Sequence, residues 1–218
     1  RQHLNDELMA GSEDERTTYR IKAGVPGPLV EAAIIDAEGN FLPADGEAQG
    51  ELVLRAPWLS EGYFNEPQKG AELWEGGWLH TGDVATLDSM GVIDIRDRIK
   101  DVIKTGGEWI SSLDLEDLIS RHAAVREVAV VGIADPQWGE RPFALLVIRE
   151  GHEIGARELK EHLKPFVELG HLSKWAIPSQ IALVTEIPKT SVGKLDKKRI
   201  RVDISEWQAS NSTFLSTL

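Results

Sequence analysis

The chain has 218 residues, 41% of them hydrophobic, which is enough for true cores in one large or two small domains. Its 24 Lys and Arg stand against 36 Asp and Glu, a formal net charge of −12, so it is a poor general binder of nucleic acid or anionic membrane. It has no cysteine, which excludes disulfides, thiol nucleophiles and thiolate-bound metals, and no apolar run long enough to insert stably in a bilayer.

The first residues, Arg1 to Ala23, are polar, with a short helix expected over Asp14 to Lys22. Leu29 to Ile35 is β-prone, and Glu51 to Arg55 alternates polar residues with Leu52 and Leu54, as a half-buried strand does. Trp74, Trp78 and Leu79 lead into Thr81-Gly82-Asp83. Val84 to Leu87 and Val92 to Ile95 read as strands around a Ser89-Met90-Gly91 turn. Short strands at close spacing predict a small distorted β-barrel over residues 1–95.

The next stretch is dense in charge: Arg96, Asp97, Arg98, Lys100 and Asp101. Unpaired charge is costly to bury, so it reads as a solvated linker. Apolar Val102 and Ile103 follow, then Gly106-Gly107, which permit positive φ and close approach to the backbone. A short hairpin is expected here, then a helix over Leu113 to His122. Strands are expected over Val125 to Ile133, Phe143 to Arg149 and Gln180 to Val184. Leu159, Leu163, Phe166 and Val167 share a helical face, which Pro165 should end or kink. Asp196 can cap a last basic helix through Val202, and Ser205 to Leu218 reads as a frayed tail. The predicted class is α+β: the barrel over 1–95, a compact unit with a three-stranded sheet over 96–204, and a tail over 205–218.

Three separated motifs carry the chemistry. Trp78-Leu79-His80-Thr81-Gly82-Asp83 is one; Asp97 through Lys104, continuing as Thr105-Gly106-Gly107-Glu108-Trp109-Ile110-Ser111-Ser112, is the second; Pro188-Lys189-Thr190-Ser191-Val192-Gly193-Lys194 is the third. Taken singly, each has a plain reading: a β-turn, a linker with a glycine hairpin, a basic patch. In this order they resemble the adenylate-forming (AMP-binding) superfamily of acyl-CoA synthetases, adenylation domains and firefly-type luciferases. The second motif is most similar to medium- and long-chain fatty acyl-CoA synthetases. The resemblance covers about Gly24 to Asp203.

The resemblance implies roles. Asp83 matches the carboxylate that holds the ribose of ATP, two acceptor oxygens facing two vicinal hydroxyls. Arg98 matches an arginine that reaches ribose or phosphate; its plain alternative is a surface ion pair with Asp97 or Asp101. Lys100 falls at the pivot of the family's mobile lid, where a long charged side chain stays solvated while the backbone turns. Lys100, Lys104 and Trp109 match AMP-contacting positions, though Trp109 also reads as a core aromatic. Gly106 and Gly107 match the turn that lies along the pantetheine of CoA. Lys194 matches the lysine that bridges carboxylate and α-phosphate during adenylation. The histidines His80, His122 and His162 lack metal-ligand spacing, and no metal ligand is assigned.

The implied activity is that of an acid-thiol ligase: ATP and a fatty or other carboxylic acid give acyl-AMP, which CoA then attacks. The family's phosphate loop, its Mg²⁺-binding glutamate and its acyl pocket have no counterpart in this sequence. The expectation is therefore a C-terminal piece, inactive alone, whose partner is the N-terminal AMP-binding domain; the lack of an initiator Met fits that. A cytoplasmic setting is expected, and the oligomeric state stays open. The alternatives are a ligase for a short or sulfur-containing acid, an adenylation domain loading a carrier protein, and a non-catalytic lid-containing binding module.

Overall fold

The computed structural model describes residues 10–209 and 215–217. The chain divides into two compact units, the first ending at Lys100 and the second starting at Asp101.

The first unit opens with helix α1 (Glu13–Arg20), started by a reciprocal cap in which Ser12 accepts from Glu15 N–H and the Glu15 carboxylate accepts from Ser12. Strands β1 (Glu31–Ile35), β2 (Gly50–Arg55), β3 (Leu79–Leu87) and β4 (Ile93–Arg98) follow, with the short helix α2 (Pro67–Leu73) between β2 and β3. The four strands form one antiparallel sheet in the order β1-β2-β3-β4. The sheet is open among the described residues, where the sequence predicted a barrel. β1 and β4 do not pair with each other, and their outer edges carry only the isolated bridges of Ile35 with Phe41 and Ile93 with Gly24, so no ladder closes it. Ile34, Leu52, Ala85, Leu87 and Ile93 make its core.

The charged stretch departs most from expectation. It is not a linker through its first half: β4 runs to Arg98, with Asp97 opposite Val84 and Arg98 opposite Asp83. Asp97 is buried to 2% exposure, and its carboxylate accepts the Arg98 N–H at 2.7 Å. Arg96 pairs with Asp94 at 3.2 Å. Charge is tolerated in this strand because each group is partnered.

The second unit holds β5 (Ile103–Thr105), β6 (Glu108–Ile110), α3 (Ser112–Ser120), β7 (Val125–Asp135), β8 (Gly139–Ile148), α4 (Ala156–Glu168), β9 (Gln180–Leu183), α5 (Lys197–Ala209) and β10 (Leu215–Thr217). The expected three strands are present as β7, β8 and β9, but the sheet has six: β10-β9-β8-β5-β6, with β7 on β8. The glycine hairpin adds β5 and β6 through the pairing of Thr105 with Gly139, and β10 adds an edge that the sequence reading had placed in the tail. The tail reading otherwise gives way to α5 as far as Ala209; residues 210–214 and 218 lie outside the described residues.

Strands β7 and β8 read as continuous apolar runs because both faces are covered. Val128, Val130, Ala144, Leu146 and Ile181 meet Leu115, Ile119, Leu159 and Leu163 on one side. Ala129, Val131, Phe143, Leu145 and Ala182 meet Ile187, Ile200 and Ile204 on the other. Each of the Val, Leu, Ile and Phe side chains among these contributes roughly 1.5–3 kcal/mol by leaving water. Helix α4 continues one turn past Pro165, which is exposed.

Candidate functional site

In the first unit the site residues gather where β2, β3 and β4 meet. Gly82 takes φ +69°, which favours glycine. Its N–H donates to Glu51 Oε1 at 3.1 Å and its carbonyl accepts from Ile99 N–H at 2.9 Å. Thr81 donates its hydroxyl to the Leu52 carbonyl at 2.7 Å and accepts from the Asp83 N–H at 3.1 Å. Asp83 is thus held from behind, and its Oδ1 lies 2.8 Å from Arg98 Nε. Arg98 pairs with Asp83 and with neither of the neighbours expected from sequence, Asp97 or Asp101, because cross-strand register sets the two face to face.

No pattern in the sequence points to a partner for His80. Its Nδ1 lies 2.9 Å from Glu51 Oε2 and its Nε2 lies 3.2 Å from the Glu75 carbonyl. Burial opposes protonation, but the Glu51 hydrogen bond and charge, aided by the Glu75 carbonyl, outweigh it and raise the imidazole above its ordinary value. The imidazolium satisfies both acceptors, which neither neutral tautomer does. Lys100 is exposed in the turn that ends this unit.

In the second unit the glycine turn joins β5 to β6. Gly106 and Gly107 take φ +57° and +86°. Gly106 donates its N–H to the Trp138 carbonyl at 2.9 Å, and a Cβ there would sit 3.2 Å from the Trp138 ring. Trp138 in turn lies 4.7 Å from Trp175, centroid to centroid. Beside the turn, Lys104 and Trp109 are opposite one another, with the ammonium 5.1 Å from the indole centroid. Trp109 is half-buried rather than core. The Lys104 N–H is fixed by Glu140 Oε2 at 2.9 Å, and the Ser173 hydroxyl donates to the Glu108 carboxylate. The Trp138–Trp175 pair was not foreseen as part of this corner; aromatic residues in two turns distant in sequence carry no local signal.

Lys194 ends a tight turn. Thr190 N–H donates to its carbonyl at 2.7 Å, its own N–H donates to Thr190 Oγ1 at 3.2 Å, and Gly193 N–H donates to the Thr190 carbonyl at 2.9 Å. Its ammonium is exposed and has no partner among the described residues. Asp196 caps α5 by accepting from Arg199 N–H at 3.0 Å. Three residues past Lys194, Lys197 is buried, with Nζ 2.8 Å from Glu116 Oε1 and 2.7 Å from Ser112 Oγ. Among the described residues, no His, Asp and Glu cluster is suited to a metal ion, and no helix is long and apolar enough to cross a membrane.

Residues 114–194 match the family model for the AMP-binding enzyme C-terminal domain. The chain carries the C-terminal domain of the AMP-binding enzyme family. It is 44% identical over 199 residues to a long-chain-fatty-acid–CoA ligase of Thermus thermophilus, covering 91% of this chain and 36% of that protein. It is 40% identical over 193 residues to a 3-methylmercaptopropionyl-CoA ligase of Ruegeria lacuscaerulensis, covering 88% and 34%. Among solved structures it resembles o-succinylbenzoate CoA synthetase from Bacillus subtilis in complex with its acyl-adenylate intermediate. The TM-score is 0.72 and the identity 29%, over 88% of this chain and 37% of that one. The chain thus spans about a third of the length of its curated relatives, and it aligns with their adenylate-forming C-terminal portion.

Proposed function

We propose that this adenylate-forming chain is the C-terminal part of an ATP-dependent acyl-CoA ligase that works on fatty acids. The observation that carries the reading is the unpartnered ammonium of Lys194 at the end of a rigid turn. A cation held ready but unpaired suits a place where negative charge develops, as it does when a carboxylate attacks the α-phosphate of ATP. Asp83 would accept the two ribose hydroxyls, with Arg98 moving from carboxylate to nucleotide. Lys104 and Trp109 would meet AMP, the lysine by charge and the indole by its face. Lys100 would be the pivot, and the exposed backbone of Gly106 and Gly107 would line the path of the pantetheine. The unit that starts at Asp101 would then be the lid, and the unit that ends at Lys100 the end of the large ATP-binding domain.

A ligase for a short sulfur-containing acid is the second reading, favoured by the 40% identity to the Ruegeria enzyme. The test is the full-length parent with ATP, CoA and a panel of carboxylates, and with a carrier protein in place of CoA. The first reading expects acyl-CoA from fatty acids. Acyl-CoA from the sulfur acid alone selects the second reading, and transfer only to the carrier protein, or no thioester from any acid, overturns both.

A further inference from the structure

Helix α5 carries two cations one turn apart that both leave the helix for distant acids. Lys197 reaches Glu116 and Ser112 on α3. Arg201 reaches Asp101, with Nη2 3.0 Å from Oδ1. Asp101 is the residue immediately after Lys100. Its side chain is only 14% exposed, and Arg201 is a third exposed, so the contact is shielded from bulk water and screened little by salt. At the other end of the turn that holds Lys194, Lys189 pairs with Glu127 of β7 at 2.8 Å, and Asp196 N–H donates to the Pro188 carbonyl at 2.9 Å. The backbone at Lys194 is therefore tied on both sides, while its ammonium is left without a partner.

We infer that α5 is a strut between the pivot and the terminal lysine, and that Arg201, through Asp101, is a positioning residue for Lys194. Asp101 shares a peptide bond with Lys100, so any backbone rotation at Lys100 carries the Asp101 carboxylate with it. The carboxylate holds Arg201, and the short helical path from Arg201 back to Lys197 fixes where the turn with Lys194 stands. An apolar contact would hold α5 against the sheet equally well, but it would allow the helix to slide or rotate. A charge-assisted hydrogen bond of fixed direction does not. This inference rests on the proposed role of Lys194 in adenylation.

The test uses the full-length parent and two separate readouts, pyrophosphate exchange for adenylation and acyl-CoA release from supplied acyl-AMP for thioester formation. Arg201→Met keeps the stem and removes the charge. It should lower the kcat of exchange by about tenfold to a hundredfold, the cost of displacing a reacting group by around an ångström, while thioester formation stays within about twofold. The exchanged pair Asp101→Arg with Arg201→Asp should restore most of the lost exchange rate. Amide hydrogen exchange gives a reading independent of activity. In Arg201→Met the Gly193 and Lys194 amides should exchange faster while β7 and β8 remain protected, and Arg201→Lys should fall between the two. The inference is overturned if both half-reactions fall together with faster exchange across β7 and β8, or if adenylation is unchanged. A wild-type parent lacking both half-reactions would instead remove the functional reading itself.

Discussion

Arg98 and Asp83 face each other across β4 and β3, with the guanidinium Nε 2.8 Å from the carboxylate. The arginine is well exposed, so the pair contributes at most about 1 kcal/mol to folding. Asp83→Ala should therefore leave the melting temperature of this chain nearly unchanged. In the full-length parent the same change should weaken ATP binding by roughly 10- to 100-fold, the usual effect of losing hydrogen bonds to a charged group. Calorimetric titration with ATP decides it. An unaltered affinity would remove Asp83 from the nucleotide site.

His80 makes stability depend on pH. Its folded value is raised, chiefly by Glu51 against the opposing effect of burial. A raised value means the folded state holds the proton more tightly than the unfolded chain. The stabilisation is complete below about pH 6.5, the ordinary value for a histidine, and is lost as pH rises through the folded value. Urea midpoints should fall between pH 6 and 8 in the wild type, and this part of the slope should vanish in Glu51→Gln. Following the His80 ring protons by NMR over the same range gives the direction of the shift directly.

Lys194 and Gly106 should fail on different half-reactions. Lys194→Ala in the parent should reduce pyrophosphate exchange by about 10²–10³ and spare CoA attack on supplied acyl-AMP. Gly106→Leu should do the reverse. Its side chain would project from a turn with φ +57°, against Trp138, along the proposed pantetheine path. Gly107→Ala supplies the comparison. A Cβ there meets nothing within 4 Å, so only the backbone penalty of a left-handed alanine, about 1–2 kcal/mol, should appear. Loss of the same half-reaction in Lys194→Ala and Gly106→Leu would refute a lid with two working positions.

The buried contact of Lys197 with Glu116 predicts non-additive stability. Lys197→Met leaves a carboxylate that is 11% exposed without its cation, which should cost about 3–5 kcal/mol. Adding Glu116→Gln removes that charge while keeping an oxygen for the Val130 N–H, which Glu116 now accepts at 2.8 Å. The double variant should recover most of the loss. Denaturant midpoints of the single and double variants measure the coupling, and simple additivity would count against it.

What the sequence made legible was local. The helix expected over Leu113 to His122 and the glycine hairpin before it follow from a few neighbouring residues. The strands expected over Val125 to Ile133 and Phe143 to Arg149 stand likewise as β7 and β8. The stretch after Ile93 misled because burial there inverts hydropathy: Ile95 is 47% exposed while Asp97 is 2% exposed. Charge count suggested a linker, whereas the ladder with β3 and the bond from the Arg98 N–H to the Asp97 carboxylate hold this stretch as a strand. The partners of the site were the least legible part. Glu51 with His80, Trp138 with Trp175 and Asp101 with Arg201 join residues far apart in the chain, which no periodicity reveals.

The Glu116–Lys197 contact also sets where this unit tolerates recombination between relatives. A crossover at any point from 117 to 196 would bring Glu116 from one parent to whatever stands at 197 in the other. If that residue is neutral, the chimera inherits a poorly solvated carboxylate without its lysine, which must be buried charged or take up a proton, at a cost in stability either way. Junctions placed before Asp101, or beyond Arg201, take both anchors of α5 from one parent and keep the acids and their cations together. Exchange of this unit between relatives should therefore succeed when it is moved whole and fail when half of it is moved.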